Sequence, residues 1–218
     1  MPEHVALTHA RLKTPKAAAI AGIIFSLLMF AMFWLLRRYV PAEPLDSGAW
    51  LAADTKTIGL ALNLVPFAGI AFLWFIGVLR DRLAQQEDRF FATVFFGSAL
   101  LFLAMLFAAA AVLGAIMLVT SAVEPNELAS SATFRFARAA AYIIANVYAI
   151  KMAAVFMITT STLVIYTDIA PRWIAYIGYL LAFVLLLGSY YFSWSFAVLP
   201  IWVFLISVHI LMDNLRGH

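Results

Sequence analysis

The chain of 218 residues contains no cysteine, which excludes disulfides, thiolate catalysis and cysteine-ligated zinc or iron–sulfur centres. Charge is also scarce: Asp, Glu, Lys and Arg make up 11% of the residues against 66% apolar ones, and the mean hydropathy is +0.99. Such a balance lies far outside that of soluble globular domains and places most of the chain in lipid. All 11 acids fall in tails, loops or helix ends, so the long apolar runs hold no carboxylate. Of four histidines only His209 sits in an apolar run, whereas a bis-histidine haem needs a facing pair. The sequence has no HExxH, no GxSxG, no glycine-rich phosphate loop and no carboxylate cluster with metal-ligand spacing, so it carries no catalytic signature and no cofactor is expected. The formal charge of +3 comes from basic residues at the ends of the runs. There it bears on orientation and on anionic lipid, and it gives no support to nucleic-acid binding.

What the sequence does contain is apolar length. Six runs predict an all-α, polytopic membrane protein, a six-helix transmembrane bundle of one domain (17–212) between a tail at 1–16 and a tail at 213–218. The first run, Ala17–Leu36, ends in Arg37–Arg38 where a signal peptide would have small residues, so a retained helix is expected. The second covers about Thr57–Leu79, the third Phe90–Thr120, the fourth Ala139–Tyr166, the fifth Trp173–Phe192 and the sixth Trp194–Met212. Connections are expected at 39–56, 80–89 and 121–136, at the TDIAPR turn and at a tight reversal in YYFSWS. Exposed ion pairs from the 80–89 connection to Asp168 and Asp213 would add little. Small-residue faces, Ala104/Ala108/Ala111/Ala115 in the third helix and Ala141/Ala145/Ala149/Ala153 in the fourth, predict that these two pack together.

Six spans put both termini on one side. Eight basic residues (11, 13, 16, 80, 82, 89, 172, 216) then share that side and five (37, 38, 56, 135, 138) the other. The positive-inside rule therefore predicts a multi-pass protein of the inner or plasma membrane with cytoplasmic termini.

One charge lies inside a run. Lys151 is close to the centre of the fourth helix, too deep for its stem of roughly 6 Å to reach water, at a cost on the order of 2.5–3.5 kcal/mol. Its candidate partners are Tyr148, Asn146, Asn63, His209, and the carbonyls of Leu62 and Phe196, which Pro66 and Pro200 deprive of helical donors. Asn63 and Asn146 are expected at similar depth, and Thr159 and Thr162 continue a polar face beyond Lys151. Two readings follow. In the first, this face lines the path of a channel or transporter for a small ion or solute, with an anion or proton favoured by Lys151. In the second, Lys151 bonds to carbonyls inside a non-catalytic membrane subunit or scaffold that serves a partner protein or a second copy. A retinal-type Schiff base on Lys151 would need a carboxylate counter-ion, and the run has none.

Overall fold

The computed structural model describes residues 14–52, 55–83, 89–167, 170–188 and 194–216, and among these there are helices and no strand. The helices are α1 (Thr14–Tyr39), α2 (Thr55–Leu83), α3 (Arg89–Thr120), α4 (Pro125–Ser130), α5 (Ala132–Ile143), α6 (Ile150–Thr167), α7 (Arg172–Gly188) and α8 (Ser195–Arg216). A single π-helical stretch, Ile144–Ala149, joins α5 to α6, so the three form one rod of 36 residues, about 54 Å long. This rod, α1, α2, α3 and α8 are long and apolar enough to cross a membrane, and α7 is a shorter apolar helix. The protein is thus a helical membrane bundle. Residues 190–193 of the YYFSWS reversal, 84–88 of the 80–89 connection and Asp168 lie outside the described residues.

The rod begins earlier than hydropathy predicts, because Arg135 and Arg138 interrupt the apolar run without interrupting the helix. Ser131 caps it by accepting the Phe134 amide at 3.1 Å, and Phe134, Arg138 and Ala141 form its buried stripe. The connection from α3 shrinks accordingly to residues 121–131, and α4 occupies part of it.

Packing is organised by adjacency. α1 lies between α2 and α8, α3 packs on α2 and on the rod, and α7 packs chiefly on α6. Where two backbones approach closely, a glycine faces a serine: Gly22 of α1 opposite Ser207 of α8, and Gly178 of α7 opposite Ser161 of α6. The rod presents Ala141, Ala149 and Ala153 as buried residues and Ala145 as a half-buried one. The matching face expected on α3 is different. Ala104, Ala111 and Ala115 are exposed, and α3 buries Phe95, Phe102, Leu103, Leu106 and Ile116 instead. A uniformly apolar helix carries no signal for which face meets protein, since lipid is as apolar as leucine.

At the centre, Phe72 of α2 meets Phe25 of α1 (4.6 Å between centroids), Phe102 of α3 (5.5 Å) and Phe156 of α6 (5.1 Å), and Phe156 in turn meets Phe95 (5.2 Å). All five rings are buried, so four helices share one aromatic layer. A second, smaller core of Val40, Trp50, Leu51, Ile58, Ile116 and Phe134 closes one end of the bundle, beneath the connection from α1 to α2. That connection turns at Gly48, whose φ of +72° suits glycine and whose amide donates to Asp46 Oδ1 at 2.6 Å. We call this the roofed end.

Candidate functional site

Beneath the roof is a cavity of about 400 Å³. Five of the spans contribute to its wall: Met32, Phe33 and Leu36 from α1, Leu62 and Val65 from α2, Leu106, Ala109 and Leu113 from α3, Ala141, Tyr142, Ala145 and Asn146 from the rod, and Phe196 from α8. One turn further from the roof than Met32 and Leu106, Met29 and Phe102 are buried, and Phe102 belongs to the aromatic layer. The chamber therefore ends where the Phe72 layer begins. Its volume falls in the range of roughly 300–1,000 Å³ typical of small-molecule sites.

Polar groups gather at the rim. Arg37, Glu43 and Arg138 line it together with Pro41 and Pro44. Arg138 is only 5% exposed. Its Nη2 donates to the Pro41 carbonyl at 2.6 Å, its Nε lies 3.7 Å from Asp46 Oδ2, and its guanidinium sits over Trp50 at 5.7 Å. One side chain of the rod thus ties down the roof from three sides. Sequence reasoning counted Arg138 as a loop charge. Its spacing of three and seven residues from Ala141 and Ala145 is the signal that places it on the buried stripe.

Lys151 is not among the cavity residues. It is half-buried on the seam between α6 and α7, where Nζ donates to the Leu186 carbonyl at 3.3 Å. Leu186 lies two residues before Gly188, the last described residue of α7. The bond ties the middle of the rod to α7. The other residues expected around Lys151 are dispersed. Tyr148 is 56% exposed, and Asn63 is exposed and donates back to the Gly59 carbonyl at 2.9 Å. His209 is half-buried on α8, near the end opposite the roof. Thr159 is buried and donates within its own helix, to the carbonyls of Phe156 (3.0 Å) and Val155 (3.1 Å). Thr162 bonds to the Ile158 carbonyl (2.9 Å) and meets the Tyr179 hydroxyl at 2.6 Å, a second polar link between α6 and α7. A third link joins α7 to α8, where Trp202 Nε1 donates to the Ile174 carbonyl at 3.2 Å.

Of the expected site residues, Asn146 lines the cavity; its Nδ2 donates to the Tyr142 carbonyl at 3.1 Å inside the π-helical turn. Leu62 and Phe196, the two residues whose carbonyls the prolines free, line the same chamber. Among the described residues no group of three or more metal-ligating side chains comes together. Comparison with protein-family models, with curated proteins and with solved structures finds no match to this chain.

Proposed function

We propose that the protein is a membrane carrier for a small amphipathic solute, with the roofed cavity as its loading chamber and the Phe72 layer as the barrier that separates the chamber from the other side. The observation that carries this reading is the position of the cavity: about 400 Å³ lined by five spans, with apolar walls and a polar rim, above the level of the buried Phe72 layer. A pocket built only for stability has no reason to interrupt the packing of five helices at one level. In this reading the roof faces outward, the side that the excess of basic residues among the tails favours for it. The solute then enters past a rim whose Arg37 and Arg138 are accompanied by Glu43 and Asp46, and Lys151 holds α7 in place.

The absence of cysteine supplies the test. In Ala145→Cys the sole thiol faces the chamber, and in Ala42→Cys it marks the rim. A membrane-impermeant maleimide added to intact cells is expected to label both. Labelling at 42 with none at 145 would mean that the chamber is closed to solutes, and the carrier reading would fail.

A second reading, a non-catalytic subunit that packs against a partner helix, is favoured by the exposed alanines 104, 111 and 115 on α3. Disulfide capture between introduced cysteines at 111 and a partner, with no labelling at 145, would select it.

A further inference from the structure

We propose that the chamber selects solutes whose polar end donates hydrogen bonds, a neutral amide, alcohol or related group, in preference to an anion. This rests on the reading of the cavity as a solute chamber and names the chemistry of what enters it.

The argument starts from the backbone. α2 is helical through Pro66 and α8 through Pro200. Each proline lacks the N–H that the carbonyl four residues earlier would accept, which leaves Leu62 and Phe196 short of their helical donors. The two helices lie on either side of α1 and do not follow one another in the chain, yet both residues line the same cavity. The rod is irregular beside the same cavity. Its π-helical turn holds Asn146, whose Nδ2 is engaged with the Tyr142 carbonyl, so the amide turns its remaining acceptor, Oδ1, to other partners. Backbone acceptors left without donors at membrane depth are tolerated where they face a cavity, and there they become recognition groups. Three helices therefore place residues that carry such acceptors in the wall of one chamber.

The rim does not turn that preference toward anions. Arg37 and Arg138 are accompanied by Glu43, which lines the cavity, and by Asp46, 3.7 Å from Arg138. Two cations and two carboxylates balance. Arg138 is also engaged with the Pro41 carbonyl. The apolar wall of Met32, Leu106 and Leu113 suits a short hydrocarbon body.

The experiment uses the full chain in lipid nanodiscs and three probes of equal chain length: octanamide, N,N-dimethyloctanamide, which has the same dipole but no N–H, and octanoate. Binding is read from the ligand-induced rise in unfolding temperature, with Ala145→Phe, which fills the chamber, as the blocked control. Octanamide is expected to bind at least about fivefold more tightly than its dimethyl analogue, the equivalent of one neutral hydrogen bond. Pro66→Ala and Pro200→Ala return an N–H to Leu62 and Phe196, and both favour helix. In at least one of them the ratio should fall towards one while binding of the dimethyl analogue persists. A ratio that stays the same in both variants, a ratio of one in the unaltered protein, tighter binding of octanoate, or failure of all three probes to bind would each overturn the proposal. None of these results touches the thiol labelling at position 145, which tests the chamber itself.

Discussion

Replacing Gly178 by alanine should open the contact between α6, α7 and α8, and the structure sets its size. A Cβ at this position would overlap the Ser161 hydroxyl and come within 2.7 Å of the Trp202 ring, both in a fully packed region. Overpacking of this kind costs about 1–3 kcal/mol. Displacing Trp202 also strains its bond to the Ile174 carbonyl, about 0.5–1.5 kcal/mol if lost. Alanine recovers about 1 kcal/mol of helix propensity. The net expectation is a destabilisation of about 0.5–3.5 kcal/mol, measured by reversible unfolding in mixed micelles. The attribution is tested by a second change. Ser161 Oγ is buried with no hydrogen-bond partner among the described residues, so Ser161→Ala alone should be close to neutral. In the double variant the overlapping oxygen is gone while the Trp202 contact remains, so roughly half of the loss should return, a coupling of about 1 kcal/mol. A neutral Gly178→Ala, or a double variant that is simply additive, would refute the packing argument.

Three further changes probe the other parts. Lys151→Met removes a charged hydrogen bond of about 1.5–3 kcal/mol and also the cost, about 2.5–3.5 kcal/mol, of holding an ammonium in the membrane. The two nearly cancel, so stability should stay within about 1 kcal/mol of the parent while amide exchange around Leu186 speeds up; a loss above about 2 kcal/mol would show that Lys151 does more than hold α7. Arg138→Met leaves Asp46, whose side chain is 12% exposed, without its cation. The expected loss is about 3 kcal/mol, at the low end for a broken buried pair because the two atoms are 3.7 Å apart, and protease should cut between residues 41 and 52 faster than in the parent. Phe72→Ala takes the shared ring out of the aromatic layer, at about 3–5 kcal/mol, and should make liposomes that contain the variant leak protons to an internal dye.

Some of this was legible in the sequence and some was not, for physical reasons. Apolar length reports immersion directly, so the six runs and the helical membrane bundle follow from hydropathy. Proline arithmetic is equally local, and it named Leu62 and Phe196 before any packing was known. Rotation about a helix axis is a different matter. In α3 every face is apolar, and nothing in its residues distinguishes the alanines that face outward from the phenylalanines that face in. Asn63 misled for a related reason. A side-chain amide can satisfy itself on the Gly59 carbonyl one turn back, so a polar residue in a run need not point at another. Arg138 was hidden by its charge, because counting it among loop residues makes the fourth run begin several residues too late.

Lys151 is the point where the scarcity of acids bears on packing. The apolar runs hold no carboxylate, so the partner of this lysine has to come from elsewhere, and a backbone carbonyl of the neighbouring helix, that of Leu186 in α7, supplies it at 3.3 Å. A lysine offers several N–H bonds on a flexible stem and can reach such an acceptor across a helix seam. A carboxylate beside Lys151 would compete for the same donor, so a run without acids fits a lysine that ties α7 to the rod.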